Sequence, residues 1–129
     1  MTQNSEHYPK LSPSAKVIIS YPSVAHPVPS PYSNVYGNIY TWNTYFREIG
    51  GYSGFELRAV EFYLLDPSGG RWTNSWSEAV NAGPGESVIS DYWVSSGGEW
   101  AGGSYNAIWS GEDSKGNKMK IIQKITLSR

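Results

Sequence analysis

The C-terminal part of the chain, residues 104–127, alternates between apolar and polar side chains on both sides of a central turn. In the second half of this segment, the apolar residues that share one face are Met119, Ile121, Ile125 and Leu127. A period of two is typical of a β-strand with one buried face and one solvated face. Between the two halves, residues 112–117 (EDSKGN) are rich in turn formers. The pattern therefore predicts a C-terminal β-hairpin.

Further strands are predicted upstream, where turn formers separate short apolar or alternating runs. The clear segments are residues 16–20, 38–48, 56–66 and 86–94, and residues 71–77 form a weaker one. Together with the hairpin they make about seven strands, and no convincing amphipathic helix accompanies them. Short strands at this spacing predict an all-β protein, an antiparallel immunoglobulin-like β-sandwich. A flattened barrel or a jelly roll is the alternative architecture.

The strands define one domain, which we expect to cover residues 16–129. Residues 1–15 are polar, contain two prolines and lack periodicity, so they predict a flexible lead or linker. Residues 21–37 contain four prolines. Because proline has no amide hydrogen to donate, this stretch is expected to be an extended crossing or an edge segment rather than a central strand.

Composition excludes several classes of partner and chemistry. The 129 residues include ten Lys and Arg, eleven Asp and Glu, and no cysteine, giving a formal net charge of −1. Without a basic stripe, nucleic acid is not an expected partner. No segment resembles a transmembrane span or a lipid anchor, so no membrane contact is expected either. Disulfides and thiolate chemistry are excluded by the absence of cysteine.

Catalytic and cofactor-binding motifs are also missing from the sequence. The two histidines, His7 and His26, lie in proline-rich segments, and no nucleophile, zinc-protease, phosphate or dinucleotide motif occurs. Glu48 is expected to pair with nearby backbone or with Arg47, and Glu61 to be solvated. We therefore expect neither an enzyme nor a cofactor. The turn at residues 112–117 is interpreted as a hairpin turn rather than a metal site, because a lysine interrupts its oxygen ligands.

The six tryptophans divide into two groups. Trp42 and Trp109 fall in phase with the apolar face of their strands, and we expect both in the core. The other four lie in segments rich in Gly, Ser and Asn or at the end of a strand. If successive strands run up and down, connections 21–37, 66–71 and 95–103 leave the domain at the same end.

Two interpretations of this end remain open. The aromatic rings could cap the open end of the sandwich. Alternatively, they could form an exposed platform that stacks on sugar rings, while polar neighbours bond the hydroxyl groups. On the second interpretation the candidate ligand-binding residues are Trp72, Trp76, Trp100, Trp93, Tyr36, Glu99 and Asn74.

Two stretches of the chain carry a family resemblance. WNTYFREIGGYSGFELRAVEFYLLDPSGG and NAIWSGEDSKGNKMKIIQKITL resemble the immunoglobulin-like or fibronectin-type-III-like modules attached to bacterial secreted proteins. The shared features are a Glu-x-x-Gly corner at Glu48 and Gly51 and a D-x-x-G-N hairpin that begins at Asp113. The resemblance implies an extracellular or cell-surface module with neighbouring domains in a longer protein.

Combined with the tryptophans, this resemblance leads us to expect a non-catalytic module that binds a polysaccharide or an oligosaccharide. The alternative functions are a structural spacer and a protein–protein interaction module without a glycan ligand.

Overall fold

A computed structural model describes residues 14–34, 37–73, 78–95 and 102–128, and these form ten β-strands and no helix. The strands are β1 (Val17–Ser20), β2 (Val24–Ala25), β3 (Val28–Pro29), β4 (Asn38–Glu48), β5 (Phe55–Leu65), β6 (Arg71–Thr73), β7 (Ala79–Ala82), β8 (Ser87–Ser95), β9 (Gly103–Asp113) and β10 (Lys118–Leu127). The described ranges contain no apolar helix of membrane-spanning length. Most of the predicted lead, residues 1–13, lies outside the described residues.

The strands form two sheets, and the expectation of an all-β fold is confirmed. In the small sheet β1 and β3 pair with one edge of β4, and β8 pairs with its other edge. The large sheet has the order β2-β10-β9-β5, and β6 and β7 both pair with the remaining edge of β5. The predicted hairpin is the β9–β10 pair, which continues through ten residue pairs.

The inner faces of the two sheets pack against each other through aromatic side chains. Phe46 of the small sheet meets Trp109 of the large sheet with ring centroids 4.8 Å apart, and Trp42 meets Tyr105 at 4.7 Å. Trp42 and Trp109 are both buried, as predicted. Burying one tryptophan removes about 150–250 Å² of surface from water, which contributes on the order of 4–6 kcal/mol before entropy costs.

One strand pair departs from the predicted antiparallel arrangement. β1 runs antiparallel to β4, and after residues 21–23 the chain crosses to the large sheet without reversing direction. It therefore meets β10 in a parallel arrangement, with Val24 opposite Thr126 and Ala25 opposite Leu127. The prediction of a purely antiparallel fold is wrong at this pair. β3 lies at an edge of β4, as expected for a segment rich in proline.

Along β5 and β7 the sequence prediction was incomplete. A bulge between Ala59 and Glu61 shifts the register of β5 against β9, so the alternation does not keep one phase along the strand. β7 is not among the strands predicted from the sequence, because Gly83, Pro84 and Gly85 directly after it are strong turn formers. In the structure the first half of β5 pairs with β7 and buries Val80, and the turn follows β7.

Candidate functional site

Strand registers bring three connections to one end of the molecule, which we call the upper end. It is defined as the end at which β4 begins and β5 ends, and the opposite end is the lower end. Ile39 near the start of β4 lies opposite Ser95 at the end of β8. Leu65 at the end of β5 lies opposite Ser104 near the start of β9. The segments before β4, after β5 and after β8 therefore leave the sheets at the upper end, as the up-and-down strand order predicted.

A buried tyrosine gives the upper end a firm base. The Tyr40 side chain is fully buried, and its hydroxyl accepts a hydrogen bond from the backbone N–H of Gly102 at 2.9 Å. The same hydroxyl donates to the carbonyl oxygen of Ser128 at 2.5 Å. Because the Tyr40 hydroxyl binds the backbone of both Gly102 and Ser128, these two points of the chain are fixed relative to the core.

The structure describes the predicted ligand-binding side chains only at the level of the backbone, or not at all. Those outside the described residues are Tyr36, Asn74, Trp76, Glu99 and Trp100. For Trp72 and Trp93 the structure describes the backbone but not the side chain. Trp72 lies in β6 opposite Leu64, and Trp93 lies in β8 opposite Thr41. The exposure of these seven side chains therefore remains a prediction.

For Trp72, the weak strand predicted over residues 71–77 is present in its first part, because Trp72 lies in β6 (Arg71–Thr73). The physical reason is the compact turn before it. Asp66 Oδ1 accepts hydrogen bonds from the backbone N–H groups of Ser68 and Gly70 at 2.9 and 2.7 Å. The chain therefore turns back at once, and residues 71–73 pair with the end of β5.

Segment 74–77, which includes Trp76, is bracketed by residues that lie along the edge of β5. Before it, Thr73 pairs with Tyr63, and after it, the carbonyl oxygen of Glu78 accepts a hydrogen bond from the N–H of Ala59 at 2.8 Å. The described residues on either side of this segment, Thr73 and Glu78, therefore lie along the edge of β5 on either side of its bulge.

A small polar cavity lies between the two sheets, and sequence reasoning missed it. Gln123 is buried there; its Oε1 accepts a hydrogen bond from Trp109 Nε1 at 2.9 Å, and its Nε2 donates to Thr44 Oγ1 at 2.8 Å. Glu78 and Tyr105 also line the cavity. The cavity volume is about 10 Å³, enough for a single water molecule. The available signal was the position of Gln123 in the alternation of β10, in phase with the partly buried Ile121 and the buried Ile125.

Two groups at this cavity have altered acidities. Burial raises the pKa of Glu78 above its ordinary value, and the negative charge of Asp91 raises it further. Burial also raises the pKa of Tyr105, and the neighbouring Tyr92 and Glu78 add to the shift. A carboxyl group that holds its proton more strongly is typical of an acid catalyst, but a cavity of this volume cannot admit a sugar ring.

At the lower end, Glu48 is a fully buried carboxylate surrounded by backbone amides. Its Oε2 accepts hydrogen bonds from the N–H groups of Lys16 and Gly50, both at 2.9 Å. Its Oε1 accepts from Gly51 at 2.7 Å and from Gly85 at 2.8 Å. The bond from Lys16 is the largest cause of a pKa lowered to about 2, and together with the three glycine amides it outweighs the opposing effect of burial. The prediction that Glu48 pairs with nearby backbone is confirmed.

Asp113 has the same role in the β9–β10 turn. Its Oδ1 accepts hydrogen bonds from the N–H groups of Lys115 and Asn117, and its Oδ2 accepts from Asn117 Nδ2 and from the N–H of Ala15, all at 2.9 Å. Burial alone would raise the pKa of Asp113, but these donors outweigh it and lower the pKa to about 2. Both oxygens are occupied, and three of the four donors belong to the turn, as expected for a hairpin. The described part of the chain contains no cluster of three side chains able to hold a metal ion.

The outer face of the large sheet carries positive charges. Lys120 of β10 and Arg58 of β5 lie on either side of Ser110 of β9, and Lys124 is two outward positions farther along β10. Within the described ranges these three cations make no ion pair. Two strand spacings separate Lys120 from Arg58, which is about 10 Å. Glu56, one outward position from Arg58 along β5, lies opposite Glu112 of β9, so the same face also carries negative charge.

Comparisons with known proteins give a likeness of fold. No family model matches the chain, and no curated protein matches it. A Bordetella pertussis protein assigned as ApaA has a similar structure, with a TM-score of 0.61, 10% sequence identity, and coverage of 89% of this chain and 94% of that chain. A β-glucosidase from Listeria innocua in complex with glucose aligns with a TM-score of 0.47 and 11% identity. The chain spans 16% of that enzyme, and this weaker likeness carries no conclusion.

Proposed function

We propose that this chain is an immunoglobulin-like β-sandwich that acts as a non-catalytic binding module. The strand order supports the fold assignment. Immunoglobulin-type sandwiches pair their first, second and fifth strands in one sheet and their third, sixth and seventh in the other. If β2, β3, β6 and β7 are set aside, β1, β4 and β8 correspond to the first group, and β5, β9 and β10 to the second.

The proposed ligand is a polysaccharide or oligosaccharide that binds through tryptophans at and near the upper end. The observation that carries this proposal is the convergence of three connections there, because rings from separate segments can then face one ligand. The fixed backbone at Gly102 also supports it, since ring platforms bind better when little ordering is needed. The binding residues would be Trp72, Trp76, Trp93, Trp100 and Tyr36, with Glu99 and Asn74 as polar contacts.

A binding role is favoured over catalysis by the state of the carboxylates. Glu48 and Asp113 are fully engaged by the turns that they hold, and Glu61 pairs with Arg71 at 3.1 Å. Glu78 has a raised pKa but faces a cavity for one water molecule. A glycan ligand also fits the proposed extracellular or cell-surface location, in which the module is attached to neighbouring domains of a larger secreted protein.

The test is retention of the chain by immobilised polysaccharides, with neutral and acidic members because of the cations on the large sheet. Trp72→Ala, Trp76→Ala and Trp100→Ala should each weaken retention, while the circular dichroism spectrum stays unchanged. Stacking of rings alone gives weak binding, with a Kd of about a millimolar to a micromolar.

The matched control is Tyr52→Ala, because Tyr52 is 63% exposed and follows β4 at the lower end. This variant should be retained like the parent protein. The proposal is wrong if no polysaccharide retains the parent protein, or if the tryptophan variants lose the fold rather than the ligand.

A further inference from the structure

The outer face of the small sheet exposes four large apolar side chains. The exposed fractions are 52% for Ile18, 46% for Tyr45, 49% for Ile49 and 55% for Ile89. On the opposite face of the same strands, Phe46 is fully buried, so these four residues contribute nothing to the core. Exposed apolar residues that occur singly are ordinary, but a contiguous group marks an interaction surface.

Strand registers show that the four side chains are contiguous. Tyr45 of β4 lies opposite Ile89 of β8. Ile18 of β1 lies opposite Arg47, which is the outward-facing residue of β4 after Tyr45. Ile49 is two positions after Arg47, just beyond the end of β4. Cβ atoms are about 5 Å apart in directly opposed pairs and about 7–8 Å apart on the diagonal. The residues therefore form one apolar stripe that crosses β1, β4 and β8.

Charges of opposite sign flank the centre of this stripe. Arg47 lies opposite Ser87, and Asp91 lies opposite Asn43, so the two charges are on opposite sides of the Tyr45–Ile89 pair. Four residue steps separate them along the strands, which is about 14 Å. Both side chains are exposed, and within the described ranges neither makes an ion pair.

We propose that this face binds a second copy of the same chain and forms a symmetric dimer. The two-fold axis of this dimer would lie in the interface, at right angles to the strands, and pass along the line that joins Tyr45 and Ile89. Rotation about this axis places the second copy face to face with the first, with its strands running in the opposite direction. The apolar centres of the two copies then meet, and Arg47 of each copy approaches Asp91 of the other. The charge pattern is thus complementary to itself, which favours a second copy over an unrelated partner.

The size of the face sets the strength of the dimer. β4 and β8 are about 37 and 31 Å long and the four-residue β1 is about 13 Å long, so at about 5 Å per strand they cover roughly 400 Å² in each copy. Stable complexes bury about 800 Å² in each partner, so this dimer is weak and dissociates on dilution. Sedimentation velocity between about 10 µM and about 1 mM covers the corresponding range of association.

The experiment combines an apolar substitution with a pair of charge reversals. Ile89→Ser should abolish the dimer, because it removes the apolar centre in both copies. Arg47→Glu should give a monomer, because the carboxylate introduced at position 47 of each copy then faces Asp91 of the other. Asp91→Lys should also give a monomer, because the cation introduced at position 91 then faces Arg47 of the other copy. A mixture of the two charge variants should form a dimer again, since each variant supplies the charge that the other lacks.

Matched controls come from the large sheet. Ile122 is 68% exposed there, and Arg58 is an exposed cation on the same face. Ile122→Ser and Arg58→Glu should both associate like the parent protein. Three results would overturn the proposal: a parent protein that is monomeric at every concentration, a dimer that persists in Ile89→Ser, or a mixture of charge variants that stays monomeric. A monomeric parent would assign the stripe to a different protein or a neighbouring domain.

Discussion

A single buried carboxylate, Glu48, joins three separate segments at the lower end. It receives the amide of Lys16 before β1, the amides of Gly50 and Gly51 after β4, and the amide of Gly85 before β8. Four amide donors stabilise the charged form of the side chain far more than the neutral form. The stabilising effect of Glu48 therefore depends on pH.

The pKa of Glu48 falls from its ordinary value of 4.5 to about 2 in the folded protein. A lowered pKa in the folded state gives stability that is present above pH 4.5 and is lost as the pH falls toward 2. We expect Glu48→Gln to lower the melting temperature by several degrees at pH 7. The side-chain NH₂ group of glutamine is a hydrogen-bond donor, and it would face backbone N–H groups that are also donors. The difference from the parent protein should shrink as the pH falls from 4.5 to 2. Thermal melts by circular dichroism measure it.

The control for this experiment is Glu56→Gln, since Glu56 is exposed on the large sheet. It should melt like the parent protein at pH 7. A deficit in Glu48→Gln that is equally large at pH 7 and at pH 2 would contradict the linkage. From the sequence, pairing of Glu48 with backbone was predictable because a Glu-x-x-Gly corner places amides near the carboxylate. The distant donors, Lys16 and Gly85, depend on the tertiary fold.

At the scale of the elements, the β5–β9 pair is the centre of the large sheet, and it contains a close approach of two backbones. A Cβ atom added to Gly111 of β9 would lie 1.9 Å from the carbonyl oxygen of Glu56. Backbone cannot rotate away as a side chain can, so any larger residue would push the two strands apart. Gly111 is therefore required by the distance between these strands.

We expect Gly111→Ala to lower the free energy of unfolding by about 1–3 kcal/mol or more, which is the usual cost of overpacking. Urea denaturation measures this loss. Ser110→Ala, the neighbouring substitution on the outer face of β9, should change stability by less than about 0.5 kcal/mol. Equal stability of the two variants would show that β5 and β9 can separate without cost.

The sequence predicted regular elements well and irregular ones poorly. Strict alternation identified β4, β9 and β10 and gave the correct buried face for each, because burial of one face imposes a period of two. In β5 the bulge after Ala59 breaks that period, and a bulge leaves no reliable trace in a single sequence. β7 was missed since Gly83 and Pro84 dominate its neighbourhood, whereas its pairing with β5 depends on residues distant in the chain.

For the whole molecule, the positions of the ends of the strands were predictable, but the environment of the loop tryptophans was not. An up-and-down order of strands fixes the end at which each connection emerges. Inside a long connection no periodicity relates a residue to the core. The exposure of Trp76 and Trp100 is therefore decided by tertiary contacts that the sequence pattern does not contain.

The two ends of the described chain lie at opposite ends of the molecule. The N–H of Ala15 is bound by Asp113 at the lower end, and the carbonyl oxygen of Ser128 is bound by Tyr40 at the upper end. Between these points β10 alone extends through ten residues, which is about 34 Å.

This separation has a mechanical consequence through the parallel β2–β10 pair. Tension applied between the two ends would pull β2 toward the lower end and β10 toward the upper end, so the strands would slide past each other. The hydrogen bonds from the N–H groups of Thr126 and Ser128 to Ser23 and Ala25, both 2.9 Å long, would then be strained together rather than in succession. Single-molecule stretching should show one abrupt rupture, and gradual lengthening at low force would contradict this arrangement. A protein stretched along this axis would hold its length until that short pair of strands failed.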